Sequence, residues 1–227
     1  MDRTEAKSQK HASPSLTALG IVYTALFATS LVLGRVMAGE PFPSPFGAEA
    51  AIVSYFQAHG DAVRIAALFQ FGAAIPLGLF TATVVSRLQF LGVRAAGATI
   101  ALFGGFAASF FLALSGLVQW VLARPEVAGN AALLRALQDL AFMTGGPGHV
   151  VPLGLLLAGV SVTAFFTRLL PRWVCGLGLV LAALAELSTL TLFVPVAAYL
   201  LPIARFPAFV WILATGVLLP RERLNPA

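Results

Sequence analysis

The feature that most constrains this chain is a series of long, uncharged, apolar runs along almost its whole length. A helix needs about 20 apolar residues to cross roughly 30 Å of hydrocarbon, and the run from Leu16 to Gly34 has that length. Only 10% of the residues are charged, whereas soluble domains carry about a quarter. We therefore predict an all-α polytopic membrane protein with six transmembrane helices in one bundle. This composition excludes a water-soluble enzyme and a nucleic-acid partner.

The flanking charges delimit the predicted domain. Residues 1–14 lack apolar periodicity and are expected to form a mobile cytoplasmic tail. Residues 15–223 form the six-helix transmembrane domain, and residues 224–227 a cytoplasmic end. The approximate spans are 15–36, 64–87, 95–122, 147–168, 172–195 and 198–219. A cleaved signal peptide is another interpretation of the first run, but the run is longer than a typical signal segment, and Arg35 precedes the candidate cleavage site.

Basic residues are distributed unevenly between the two ends of the predicted bundle. Nine lie on the side of the termini: Arg3, Lys7, Lys10, Arg87, Arg94, Arg168, Arg172, Arg221 and Arg223. The other side has five arginines offset by five acidic residues. Because basic residues concentrate in cytoplasmic loops, we expect both termini in the cytoplasm and the lipid bilayer as the main partner.

The longest connection runs from Glu40 to Asp61, on the predicted exterior side. Its start contains Pro41, Pro43 and Pro45, which exclude a helix there. Residues 48–58 have apolar side chains at helical spacing and predict a short interfacial helix. This helix either caps the bundle or forms a lid over something buried, and the sequence leaves both interpretations open.

Small residues recur at four-residue spacing in two of the runs. In lipid, such stripes let helices approach closely. The predicted helix-packing residues are Gly97, Ala101, Gly105, Ser109 and Ala113 in the third run, and Gly178 and Ala182 in the fifth.

A few polar residues fall deep within the apolar runs. Glu186 lies about 21 Å from the cytoplasmic end at the helical rise, and Arg205 reaches a similar depth across a turn near Pro195. We predict an ion pair between them that fastens two helices; the alternative is that Glu186 titrates or binds a substrate. Four further candidates for a buried polar or binding role reach the outer third of the bundle: Arg35, Gln70, Gln119 and His149. If they face one another, they form an outward-facing polar chamber around Glu186.

Motifs for chemistry are absent from the sequence. Cys175 is the only cysteine, which excludes an internal disulfide and a multi-cysteine metal site. The sequence contains no phosphate-binding glycine loop, no HExxH and no GxSxG. We therefore predict no catalytic residue, no metal site and no cofactor.

Three features suggest a family. The fourth and fifth runs are joined by the tight turn of residues 167–173, followed by Gly176-Leu177-Gly178-Leu179. The last span, Pro207 to Leu219, is short and ends on Pro220-Arg221, and the first exterior loop is polar. Over most of residues 15–223 the chain thereby resembles bacterial integral membrane proteins of the domain-of-unknown-function family 4386. The resemblance implies six helices and a bacterial inner membrane, with no assigned activity.

Three classes of function compete. The first is a structural, sensory or regulatory membrane subunit, working as a homo-oligomer or with a membrane partner protein. The alternative is a small-solute or proton-coupled transporter or binding protein that uses the polar chamber. An intramembrane enzyme acting on lipid or quinone is the weakest interpretation, because no spacing of a nucleophile and a base appears.

Overall fold

The structure, a computed structural model, describes residues 9–223. The expected tail residues 1–8 and end residues 224–227 lie outside the described part of the chain. Between residues 9 and 223 the chain forms nine α-helices and one pair of short strands. The helices are α1 (Leu16–Ala38), α2 (Glu49–Ala58), α3 (Gly60–Phe90), α4 (Ala96–Leu122), α5 (Pro125–Ala128), α6 (Ala131–Gly145), α7 (Pro147–Thr167), α8 (Arg172–Leu187) and α9 (Leu200–Leu218). The strands are β1 (Gln9–Lys10) and β2 (Glu222–Arg223).

Six helical segments of the described chain are long and apolar enough to cross a membrane. They are α1, α3, α4, α6 continued by α7, α8 with the 3-10 turn that follows it, and α9 with the 3-10 turn that precedes it. Each spanning segment packs on the next in chain order, and α9 packs back on α1. The segments therefore form a closed ring, and the prediction of an all-α membrane bundle with six spans is confirmed.

Helix α4 lies between α3 and α7 and uses its small residues for both contacts. The predicted stripe is buried or half-buried throughout: Gly97, Ala101, Gly105, Ser109 and Ala113. A Cβ atom at Gly97 would lie 2.9 Å from the carbonyl oxygen of Gly159 in α7, while Gly105 lies directly against Thr81 of α3. The stripe changes partner because a spacing of four residues drifts by about 40° per step around an α-helix.

Helix α8 packs on α7 and α9 through the predicted residues Gly178 and Ala182, both of which are buried. There is no room for a Cβ atom at Gly178, which lies against Ser161 of α7 and Trp211 of α9. The fully buried Trp211 donates from Nε1 to Ser161 Oγ at 3.2 Å. The glycine therefore lets three helices meet around one hydrogen bond.

Residues 9–13, which the sequence assigns to a mobile tail, are held against the other end of the chain. Strand β1 pairs antiparallel with β2. The buried Arg87 of α3 donates to the carbonyl oxygen of Leu219 and to Ser13 Oγ, both at 3.4 Å. We call residues 9–13 with 219–223 the terminal clasp. Residues 9 and 10 thus have backbone pairing that the sequence does not predict, and the mobility of residues 1–14 stays a prediction.

At the end of the bundle opposite the terminal clasp, residues 39–48 with α2, α5 and α6 lie over the spanning helices. Helix α1 ends at Gly39, whose φ of 73° is in the left-handed region that glycine adopts without strain. The helix expected at residues 48–58 is present as α2, and its Ile52 and Phe56 are buried in one apolar cluster with Leu122 and Leu134. The first connection is therefore packed onto the bundle.

Candidate functional site

A cavity of about 500 Å³ lies at the end of the bundle opposite the terminal clasp. Its walls come from α1, α3, α4, α6 and the start of α9, and residues 41–45 cover it. Its volume falls within the roughly 300–1,000 Å³ of small-molecule sites. The polar and charged residues that line it are Ser30, Arg35, Tyr55, Gln70, Ser115, Gln119, Gln138 and Arg205.

One wall of the cavity is a ladder of amide and hydroxyl side chains. Gln70 of α3 donates from Nε2 to Ser115 Oγ at 2.8 Å, and Gln119 of α4 donates from Nε2 to Gln70 Oε1 at 2.9 Å. Ser115 in turn donates to the carbonyl oxygen of Ala141 in α6, at 2.9 Å. These bonds connect three helices and fix the orientation of both glutamines, so the wall is organised in advance of any ligand.

Arg205 of α9 lies on another wall. Its guanidinium donates to the carbonyl oxygen of Gly145, and its Cζ atom lies 5.5 Å from the centroid of the Phe27 ring. Gly145 is the last residue of α6, and Gly146 breaks the helix with ψ of −105°, so this carbonyl belongs to the group that lacks intrahelical donors. Arg205 satisfies that carbonyl while its own Nε atom remains buried without a partner.

The roof of the cavity is the proline-rich segment of residues 41–45. The Phe42 ring packs edge-on against Tyr55 and Phe56 of α2, at centroid distances of 5.6 and 5.5 Å. Gln138 of α6 donates from Nε2 to the carbonyl oxygen of Pro43 at 3.3 Å. The segment therefore lies over the cavity. Helix α2, for which the sequence leaves a cap and a lid open, contributes only Tyr55 to the lining, and both interpretations of that helix stay predictions.

The charge of the cavity comes from two arginines. Arg35 is exposed and Arg205 is half-buried, and none of the described residues that line the cavity is acidic. Burial raises the pKa of the Tyr55 phenol, and the nearby Glu40 carboxylate raises this pKa further, so Tyr55 stays neutral. Glu40 itself contacts His59, with 3.0 Å between Oε1 and Nε2. The lining is thus mostly apolar, with a positive charge at two places.

Four of the six side chains that the sequence singles out as buried polar or binding residues line this cavity: Arg35, Gln70, Gln119 and Arg205. Of these, Arg35 is exposed and not buried. His149 does not line the cavity. It is fully buried in α7 and donates from Nδ1 to the carbonyl oxygen of Ala108 in α4 at 2.9 Å, while its Nε2 has no partner. His149 therefore connects two helices.

The expectation of a buried Glu186 at the centre of the chamber is wrong. Glu186 is exposed, and its Oε1 lies beside Gly154 of α7. Among the described residues no ion pair joins it to Arg205, which contacts the α6 carbonyl instead. Helical rise gives the depth of Glu186 but not its direction around the helix axis. The eight residues from Gly178 to Glu186 turn the helix about 80° beyond two full turns. Glu186 therefore leaves the buried face on which Gly178 lies.

The sequence does not single out four polar residues of the cavity: Ser30, Tyr55, Ser115 and Gln138. Ser30 resembles a packing residue, and its Oγ does donate to the carbonyl oxygen of Ala66 in α3 at 2.9 Å. Ser115 precedes Gln119 by four residues, and this spacing places them on one helix face, which is a signal that could find it. Gln138 lies in α6, before the fourth predicted span begins, and only its contact with the roof reveals its position.

Within residues 9–223, no group of three or more His, Cys, Asp or Glu side chains is placed to hold a metal ion. What the lining offers is recognition, since amide and guanidinium groups donate hydrogen bonds and the aromatic faces pack on apolar surface.

The fold and the cavity together define a six-span membrane protein with a roofed, positively charged cavity at one end of the bundle. Comparisons with protein-family models, with curated proteins and with solved structures gave no match. The resemblance to the family given above therefore stays a prediction from sequence motifs.

Proposed function

We propose that the protein is a sensory or regulatory membrane protein that binds a small, largely apolar molecule in the roofed cavity. The observation that carries this proposal is the presence of unpaired polar atoms in residues that line the cavity. Gln138 is 2% exposed, yet its Oε1 atom has no partner, and neither has the Nε atom of Arg205. A buried polar atom without a partner costs about 1–3 kcal/mol. Both atoms are closed off from solvent in this structure, so a ligand pairs with either atom, and recovers that cost, only when the side chain turns toward the cavity.

The proposed orientation places the cavity on the exterior of a bacterial inner membrane. Basic residues in the connections and flanks, such as Arg94, Arg168 and Arg172, lie at the end that carries the terminal clasp. Because basic loops are retained in the cytoplasm, the opposite end faces outward. A ligand then arrives from outside the cell or from the outer leaflet, and the bundle passes the signal to a second copy or a membrane partner.

The floor of the cavity supports binding over free passage. Phe27 lines the cavity, and its ring packs 5.3 Å from that of Phe209, which in turn packs 5.4 Å from Tyr23. This aromatic cluster lies between the cavity and the terminal clasp.

Transport of a small solute is the second candidate function, favoured by the break between α6 and α7, because broken helices build substrate sites in transporters.

The test is photolabelling with a neutral probe, a photoreactive 1-decanol, on the full chain in phosphatidylcholine nanodiscs. Ala198 lines the cavity, whereas the adjacent Ala197 does not, and both are half-buried. Ala198→Trp should fill part of the cavity and abolish labelling of the lining residues Phe142 and Leu201. Ala197→Trp is the matched control and should leave that labelling unchanged.

Peptide mapping of the cross-links decides the result. Labelling of lining residues that Ala198→Trp removes and Ala197→Trp retains supports the proposal. Labelling restricted to outward-facing positions on the bundle, or equal in all three proteins, contradicts it.

A further inference from the structure

Resting on the proposed function, we propose that the ligand is an anionic amphiphile, a carboxylate or similar oxyanion head on a single apolar chain. The head binds between Arg205 and Arg35, and the chain lies against the apolar lining beside α1 and α9.

The sign of the ligand's charge is inferred from the residues that line the cavity. Arg205 and Arg35 both line the cavity, and the described lining residues include no carboxylate that neutralises either one. Two acidic residues near this end contact a basic side chain: Glu40 contacts His59, and Asp61 contacts Arg64 at 3.3 Å. The two guanidinium groups of the lining repel a cationic head group and attract an oxyanion.

Arg205 has hydrogen-bonding capacity that the protein does not use. One terminal nitrogen donates to the carbonyl oxygen of Gly145, while the Nε atom is buried without a partner. The Phe27 ring, 5.5 Å from Cζ, restrains the guanidinium plane. A planar guanidinium with free donors suits the two oxygens of a carboxylate, which it binds in a bidentate manner. The arginine is thus positioned by the protein and left incompletely paired.

The apolar part of the ligand is indicated by where the cavity meets the outside of the ring. Leu31 of α1 and Pro202 of α9 line the cavity and are also exposed on the surface of the bundle. Leu31 is 48% exposed, on a helix whose outer surface faces hydrocarbon in the proposed orientation. A single chain can therefore enter sideways from the membrane, as an amphiphile does, with its head between the two arginines.

The size of the cavity limits the chain. At roughly 30 Å³ for each water-sized group, the cavity of about 500 Å³ accommodates about 16 non-hydrogen atoms. That corresponds to a medium-length single chain with its head group, and it is too small for a whole two-chain phospholipid.

The experiment measures how well each competitor displaces the neutral photoprobe in the same nanodiscs. The concentration of each competitor is expressed relative to the nanodisc lipid. The competitors are decanoate, 1-decanol, decyltrimethylammonium and acetate. Decanoate should compete at about a tenfold lower concentration than 1-decanol, equivalent to about 1.4 kcal/mol. Decyltrimethylammonium should compete least, and acetate should not compete, because it lacks the chain.

Arginine variants test the head-group contact. Arg205→Gln should abolish the preference for decanoate while keeping 1-decanol labelling. Arg35→Gln, at an exposed position, should reduce the preference severalfold. Arg64→Gln removes one positive charge at the same end of the bundle but outside the cavity, and it should leave the preference unchanged.

The outcomes separate this inference from the proposed function. Equal competition by decanoate and 1-decanol, or a preference that survives both Arg205→Gln and Arg35→Gln, overturns the anionic ligand while the cavity still binds apolar molecules. Competition by acetate overturns the amphiphile in favour of a soluble anion. Absence of labelling by the neutral probe overturns the proposed function itself. If Arg205→Gln does not fold, Arg35→Gln alone decides.

Discussion

The close approach of α3 and α4 leads to a quantitative prediction for Gly105→Ala. A Cβ atom at Gly105 would lie 2.8 Å from the Cβ atom of Thr81 and nearer still to its Oγ1 and Cγ2 atoms. Thr81 is fully buried and donates to the carbonyl oxygen of Leu77 at 2.9 Å, so rotating it away would break that bond. The two helices must therefore separate by more than about 1 Å to reach the ordinary contact distance of roughly 4 Å.

The size of the effect follows from two opposing contributions. Overpacking a well-packed core costs about 1–3 kcal/mol, while alanine gains about 0.5–1 kcal/mol over glycine inside a helix. Gly176→Ala in α8 is the matched control, because nothing lies within 4 Å of a Cβ atom at that position. The control receives only the gain, so the difference between the two variants isolates the packing cost and should be about 1–3 kcal/mol.

Thermal unfolding in one detergent provides the assay. For a chain of this size, 1 kcal/mol corresponds to about 2–4 °C, so Gly105→Ala should unfold roughly 2–12 °C below Gly176→Ala. Thr81→Ala in the Gly105→Ala background should restore part of the loss, because contacting residues are coupled in a double-mutant cycle. Gly105→Leu should disrupt folding outright.

Equal unfolding temperatures for the two alanine variants would refute the packing argument. A double variant no more stable than the sum of the single changes predicts would show instead that Thr81 does not supply the obstruction.

Three further predictions concern topology, Glu186 and the terminal clasp. Single cysteines at Ser44 and Asn130 should react with a membrane-impermeant thiol reagent added outside spheroplasts; reaction only from the cytoplasmic side contradicts the topology. Glu186→Gln should not lower the free energy of unfolding, because Glu186 is exposed on a spanning segment and the amide removes a charge that is costly in hydrocarbon; a loss of stability would reveal a partner. Burial and the Arg87 charge lower the pKa of His11. Below about pH 6.5 the unfolded chain therefore binds more protons than the folded chain, and the free energy of unfolding should decrease as the pH is lowered. His11→Gln should weaken this dependence of stability on pH, and an unchanged dependence contradicts the role given to His11.

Much of the architecture follows from the sequence because the membrane leaves few choices. Run lengths define the six spans, and helical rise alone brings Arg35, Gln70 and Gln119 to one depth, where they do line a common cavity. The depth of a residue in the membrane depends only on its position along the helix axis, and the hydrocarbon thickness sets where each span begins and ends. The stripe through Gly105 is likewise readable, because only small residues permit close helix contact in lipid.

Rotation about each helix axis is what the sequence does not supply. Glu186 and Arg205 have similar expected depths, yet one is exposed and the other contacts the broken end of α6. Small angular differences accumulate along a helix, and neighbouring helices decide which face is buried. Gln138 shows a related difficulty: its role depends on a roof segment whose path is determined by distant contacts, such as the bond to Pro43.

The closed ring has a consequence for biogenesis. Of the six spanning segments α1 is synthesised first, whereas α9, one of its two neighbours in the ring, is synthesised last. Until then Tyr23 and Phe27 lack the ring of Phe209, which packs against both of them in the finished protein. If translation stops before α9, these aromatic side chains stay exposed. Membrane proteases and insertases can then bind the incomplete chain at this site. Synthesis of α9 is thus also the step that closes the ring of spanning helices.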